Sequence, residues 1–322
     1  MKYPSVASQL TALFGIPQAK AATVVFGPFL GEVGFETLYW IPQITTLATS
    51  GALDGHRVVV MSRGGTADLY RAIGIPFEYV DVLDVVSPEE YVARDTQRLI
   101  DGGLRAKNHK TGTSDWEWQL ISSAGLAGSH VVSADLMHVA IRRFGSRALT
   151  FPRAAVVRVE RTDNVILKFW FGAQMKATTE NMRRVSEICK QARDAGPVLA
   201  IVNRHTLEDS RPFAKPSKNL GVDEPFSQIC ANLDLPTADT ASERTNIADQ
   251  IQLLASARAF KGTYGGFSYL CLYTRTPVMT YYRNPAIVFS RHFSVLAEAL
   301  ASANTKTVKR DPGLPFSIQS IA

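Results

Sequence analysis

The run Arg258-Ala-Phe-Lys-Gly-Thr-Tyr-Gly-Gly-Phe-Ser-Tyr-Leu constrains this chain more than any other stretch. A short apolar strand over Ala259–Lys261 enters a glycine turn, and a helix starts near Phe267. Gly265 and Gly266 let a ligand come close to the main chain. The start of a helix offers unpaired N–H groups and a positive dipole end to an anion. A second turn of the same kind lies far upstream, at Gly27-Pro-Phe-Leu-Gly-Glu-Val-Gly-Phe-Glu36. Two strand–glycine–helix units imply two facing α/β halves with a ligand between them.

The rest of the chain alternates in the same way. Apolar strands are expected at Thr23–Phe26, Arg57–Met61, Phe77–Val82, Asn164–Trp170, Val198–Val202 and Val278–Tyr282. Helices are expected over Phe35–Thr49, Thr66–Ala72, Ser87–Ile100, Asp135–Arg143, Thr178–Arg193, Pro225–Leu233, Asn246–Ala257 and Phe289–Ala301. Residues 1–20 read as a helix or arm, and Gly102–Gly128 as a helix with loops. Strands that are apolar throughout belong to parallel sheets covered on both faces. Residues 145–162 are basic, lack a clean period and contain Pro152, which marks a linker. The expected domains are 1–150, 151–285 and a C-terminal helix with an irregular tail, 286–322, free to pack back on the N-terminal half. No repeat of solenoid length is visible.

Composition narrows the class. The 322 residues suffice for two cores, and 46% hydrophobic with 20% charged residues suits a soluble globular protein. The longest apolar run, Val131–Ile141, is broken by Asp135 and His138 and is too short for a membrane span. The first residues lack the pattern of a signal peptide. Cys189, Cys230 and Cys271 are far apart and read as reduced, mostly buried thiols of a cytoplasmic protein. The six histidines show no metal-ligand spacing, so no metal is expected. A net charge of +6, dispersed along the chain, is either ordinary surface charge or a preference for anionic partners such as nucleotide phosphates or an acidic membrane face.

Several groups fall at strand ends, where open parallel sheets hold their ligands. Gly31, Glu32, Gly34 and Glu36 follow the first strand, and either carboxylate is placed to act as a general base on an acceptor hydroxyl. The bland alternative has Glu36 favouring the helix N-terminus and Glu32 solvated. The spacing is not GxGxxG, and an acid in the turn would repel a pyrophosphate there. Arg63 and Gly64, in Ser62-Arg-Gly-Gly65, form either an anion contact or a surface turn. Lys168, alone in an apolar strand, either pairs with a buried acid or reaches a phosphate. Arg204 is a candidate for the leaving diphosphate and His205 for substrate contact, while Glu208, Asp209 and Arg211 bind a sugar or pair with one another. In the C-terminal turn, main-chain N–H groups from Gly265 to Ser268, flanked by Tyr264, Phe267 and the hydroxyls of Thr263 and Ser268, suit phosphate oxygens.

These motifs resemble a known group. Ile-Gln-Leu-Leu-Ala-Ser-Ala, Ala-Phe-Lys-Gly, Thr-Tyr-Gly-Gly-Phe-Ser-Tyr-Leu and Thr-Pro-Val-Met resemble the nucleotide-binding half of GT-B glycosyltransferases, including the heptosyltransferase-like group. Gly-Pro-Phe-Leu-Gly-Glu-Val-Gly-Phe-Glu-Thr-Leu-Tyr-Trp looks like the acceptor-side first loop of a bacterial branch of that superfamily, as do Ser-Arg-Gly-Gly, Leu-Lys-Phe-Trp-Phe and Thr-Glu-Asn. The resemblance implies an α/β fold of two Rossmann-like domains facing across a cleft. It implies a nucleotide sugar as donor substrate, no essential metal and no cofactor. It also implies a saccharide or lipid-linked acceptor, and Glu32 as the nearest match to the group's base. The expected place is cytoplasmic, with peripheral contact at an anionic inner membrane face. A nucleotide-sugar epimerase or hydrolase and a non-catalytic binding protein are the alternatives. Nucleic acid is disfavoured, because the basic residues are scattered and no stacking platform is evident.

Overall fold

In the computed structural model the described residues are 4–91, 93, 114–172, 175–202, 224–238, 246–284, 290–304 and 316–321. The chain divides into two compact units, the first ending at Phe151 and the second beginning at Pro152. Each is an α/β unit on a parallel sheet.

The first unit carries strands β1 (Thr23–Phe29), β2 (Arg57–Ser62), β3 (Glu78–Asp81) and β4 (His130–Val132) in the order β3-β2-β1-β4, all parallel. The residues of β1 and β2 are almost all buried, as a strand covered on both faces requires. Register slips between Phe26 and Phe29, where β1 bulges. At Gly27, with φ +122°, a Cβ would lie 2.2 Å from the Met61 carbonyl oxygen, so only glycine fits. Trp40 anchors the core, its ring 6.3 Å from Phe14, 6.1 Å from Phe26 and 6.2 Å from Phe29.

The helix expected over Phe35–Thr49 is made of three pieces. A first turn, Val33–Phe35, leads into a π-helical turn, Glu36–Trp40, and then an α-helix, Ile41–Thr49. Pro42 explains the widening. It has no N–H, and its ring crowds the carbonyl one turn earlier. The ladder shifts, and the Ile41 N–H bonds the Glu36 carbonyl.

The second unit carries β5 (Val165–Lys168), β6 (Val198–Ala200), β7 (Ala259–Thr263), β8 (Val278–Tyr282) and β9 (Phe316–Ser320), parallel, in the order β6-β5-β7-β8-β9. Thr178 caps the helix Thr179–Asp194 by accepting from the Asn181 N–H at 3.2 Å. Phe169 packs between Phe226 and Tyr281, at 5.5 and 6.0 Å. Cys189, Cys230 and Cys271 are buried free thiols, and burial pushes Cys189 up to about 12.

Two expectations need correcting. The tail after Asn304 is not irregular throughout, because β9 closes the edge of the second sheet against β8. The stretch 130–132, where no strand is expected, is the edge strand β4, and the helix expected over Asp135–Arg143 follows at Leu136–Phe144. Among the described residues no helix is long and apolar enough to cross a membrane.

Candidate functional site

Strand order locates the crevices. In an open parallel sheet the ligand sits beyond the carboxyl ends, where the order reverses. In the first unit that point lies between β1 and β4, and in the second between β5 and β7.

The loop after β1 holds Gly31 and Glu32. The Phe29 ring lies against Gly31, where a Cβ would come within 2.9 Å of Cζ. Glu32 is half-buried at the N-cap of Val33–Phe35, with extended backbone, and its side chain does not cap that helix. Its carbonyl accepts from the N–H groups of Phe35 and Glu36 at 3.0 and 3.2 Å. Gly34 is buried in the first turn, and its carbonyl receives the Thr37 hydroxyl at 3.3 Å.

Glu36 lies elsewhere. It is 0% exposed. Its Oε1 accepts from Ser62 Oγ at 2.5 Å, Tyr70 OH at 2.6 Å and Thr66 Oγ1 at 3.1 Å. Its Oε2 is buried with no hydrogen-bond partner. Glu32 and Glu36 therefore do not form one carboxylate pair. Burial pushes the Glu36 carboxyl above its ordinary 4.5, while the bonds from Ser62 and Tyr70, the Arg63 charge and the Thr66 bond pull down without cancelling it. Burial and the neighbouring Glu36 also hold the Tyr70 and Tyr79 hydroxyls protonated.

The sign of the pH effect follows. The folded chain holds the Glu36 proton more tightly than the unfolded chain does. That stabilisation is complete below 4.5 and is lost as pH rises through the raised folded value. Denaturant titrations of wild type and Glu36→Gln at a series of pH values should show wild type losing stability relative to the variant as pH climbs above 4.5. A pH-independent difference would contradict the assignment.

Arg63 and Gly64, just past β2, are both buried, Arg63 to 3% exposure. The Arg63 N–H donates to the Phe29 carbonyl at 3.2 Å, tying the ends of β2 and β1 together.

In the second unit Lys168, the last residue of β5, is opposite Gly262 of β7. Its ammonium donates to Gln250 Oε1 at 2.7 Å and sits 4.0 Å over the Phe267 ring. The Lys168 charge is thus held at Gln250 and against the aromatic residue of the turn. Thr263 and Ser268 bond to the main chain. Thr263 Oγ1 accepts from the Trp170 N–H at 2.9 Å and donates to the Trp170 carbonyl at 3.2 Å. Ser268 Oγ donates to the Gly265 carbonyl at 2.6 Å. The Thr263 hydroxyl ties the end of β7 to the main chain after β5, and the Ser268 hydroxyl closes the turn on itself, each giving irregular backbone a partner. Tyr264 and Tyr269 share a bond between hydroxyls at 3.1 Å, both rings buried.

The main chain of the turn is open at Gly265. Gly265 is half-buried with extended backbone, and nothing lies within 4 Å of where a Cβ would be. Gly266 opens a 3-10 turn, Gly266–Leu270, rather than a long helix. Arg204, His205, Glu208, Asp209 and Arg211 lie outside the described residues. Among the described residues no cluster of three or more His, Cys, Asp or Glu is spaced to hold a metal ion.

The sequence did not reveal the partners Ser62, Thr66, Tyr70 and Tyr79 around Glu36, or Gln250 at Lys168. The only available signal was that Gln250 falls on the apolar face of its helix, Asn246–Ser256.

No protein-family model and no curated protein sequence matches this chain. Among solved structures, the Escherichia coli ADP-heptose LPS heptosyltransferase II is similar over 92% of this chain and 92% of its own, at 13% identity and TM-score 0.48. A glycosyl transferase family 9 protein from Veillonella parvula covers 82% of each chain at 10% identity and TM-score 0.43. The E. coli heptosyltransferase WaaC with ADP covers 92% of this chain and 90% of its own, at 12% identity and TM-score 0.41. The two-unit α/β architecture follows from the strand order itself.

Proposed function

We propose that this chain is a glycosyltransferase that moves a sugar from a nucleotide-sugar donor to a hydroxyl of a saccharide or lipid-linked acceptor, with inversion and without a metal. One observation carries the reading. Each sheet places a glycine turn at its own reversal point, one turn holding a half-buried carboxylate and the other lined by open main chain beside a fixed cation.

In this reading the second unit takes the nucleoside diphosphate. N–H groups of the turn at Gly265 and Gly266 face its oxygens, and the Lys168 charge behind Phe267 offsets the negative charge that grows as the anomeric C–O bond breaks. Arg204 would add a second cation. In the first unit Glu32 removes the proton from the acceptor hydroxyl as that oxygen attacks the anomeric carbon. The diphosphate leaves with the bonding electron pair, and the proton ends on Glu32. A single displacement inverts the anomeric carbon.

The test is a panel of nucleotide sugars, assayed for release of nucleotide with and without saccharide acceptors and with a chelator present. The expected result is release that depends on acceptor and survives the chelator, together with a thermal shift on one nucleoside diphosphate. Release without acceptor identifies a hydrolase or epimerase instead. Binding with the donor left intact identifies a binding protein. Neither binding nor release overturns the reading.

A further inference from the structure

We propose that Glu36 is a positioning residue, whose carboxyl oxygen fastens the turn Ser62–Thr66 at the carboxyl end of β2 and takes no part in proton transfer to substrate. Calling that turn part of an acceptor site rests on the proposed function; the mechanical claim does not.

The turn is Ser62-Arg-Gly-Gly-Thr66, with Gly65 at φ +84°. Two successive glycines give it little rigidity of its own. Three hydroxyls supply the rigidity from outside, all on one oxygen of Glu36. Ser62 and Thr66 bracket the turn, and Tyr70 comes from the helix that follows it. The clamp extends one layer further. Thr66 Oγ1 is 3.0 Å from Tyr79 OH, and that hydroxyl donates to the Arg63 carbonyl at 3.3 Å. The Arg63 N–H is held on the other side by Phe29. Both main-chain groups of Arg63 are therefore fixed, one by β1 directly and one through the Glu36 cluster.

Two features separate positioning from catalysis. Glu36 has no exposed surface from which to meet an acceptor hydroxyl. Only Oε1 is used, as an acceptor, while Oε2 makes no hydrogen bond. A glutamine keeps that acceptor oxygen and cannot act as a base. An alanine removes it and leaves three hydroxyls in the core without their acceptor.

The experiment uses the full chain as wild type, Glu36→Gln, Glu36→Ala and Thr66→Val. Amide hydrogen exchange over residues 62–66 is read first, without substrate. Glu36→Ala should exchange at least ~10-fold faster there, Thr66→Val less so in the same direction, and Glu36→Gln as wild type. Unchanged exchange in Thr66→Val and Glu36→Ala overturns the proposal, whatever the protein's activity. If Glu36→Ala does not fold, Thr66→Val against Glu36→Gln decides. Where transfer is detected, Glu36→Ala should raise the acceptor KM by ~10-fold or more and leave the donor KM alone. Glu36→Gln should keep the wild-type pH–rate profile. Loss of ~100-fold in kcat, or of one limb of that profile, in Glu36→Gln makes Glu36 the base and overturns the proposal. Absence of transfer with every donor counts against the glycosyltransferase reading alone.

Discussion

Glu32→Gln should lower turnover on the productive donor and acceptor by about 10²–10⁴-fold, the range for loss of a positioned general base. Glutamine matches glutamate in shape, so the loop after β1 keeps its course. The Glu32 side chain does not cap the helix behind it, so its replacement removes no capping bond. The loss should fall on kcat, and the thermal shift with nucleoside diphosphate should stay as in wild type, because the turn proposed for the donor belongs to the other unit. The pH–rate profile is the second readout, since the limb reporting the base should vanish. Turnover within about twofold of wild type would remove Glu32 from the mechanism. With Glu36 acting only as a clamp, no second carboxylate of this loop stands ready to replace it.

Gly262→Ala should be the most damaging small substitution in the second unit. A Cβ at this position would lie 2.1 Å from the Lys168 carbonyl oxygen and 2.5 Å from Phe260 Cζ. The ring has some freedom, but the carbonyl belongs to β5, paired with β7 at this register. Relief requires the two central strands to part. The expected cost is about 3 kcal/mol or more, a large share of the 5–15 kcal/mol that holds a typical domain. It is read as a drop in denaturant midpoint with an unchanged slope. Gly265→Ala is the control three residues on. Its Cβ would meet no atom within 4 Å, and its extended backbone suits any residue. Stability should stay within about 0.5 kcal/mol. Affinity for nucleoside diphosphate should fall by about 10-fold, because the methyl takes the space through which an anion approaches the main chain. A damaged fold in Gly265→Ala, or an intact one in Gly262→Ala, would contradict the two roles.

The strands read most plainly from the sequence are those whose residues are apolar by necessity. Thr23–Phe29, Arg57–Ser62 and Val165–Lys168 are covered on both faces, so nearly every side chain in them is buried and the run stands out. Two edge strands escaped, whereas the edge strands Glu78–Asp81 and Val198–Ala200 fall within expected runs. His130–Val132 is three residues long, and Phe316–Ser320 is part-exposed with polar residues between apolar ones, so neither carries the continuous signature. The π-helical turn escaped too, because Pro42 in the first turn of a helix is ordinary. Only the uninterrupted chain leading into it from Val33 makes that proline a distortion.

Local chemistry determined the two glycine turns, their position after apolar strands and the presence of acids in one but not the other. These follow from residues adjacent in the chain, where glycine geometry and the missing dinucleotide spacing act directly. Tertiary structure alone decided which polar groups meet. Glu36 finds Ser62 and Tyr70 26 and 34 residues away, and Lys168 finds Gln250 82 residues away. Such pairs depend on strand register and helix docking, and a buried polar group takes whatever partner the packing brings within hydrogen-bond reach. The two acids of the first loop look equivalent in the sequence. The fold left one half-buried beside the crevice and drew the other wholly into the core.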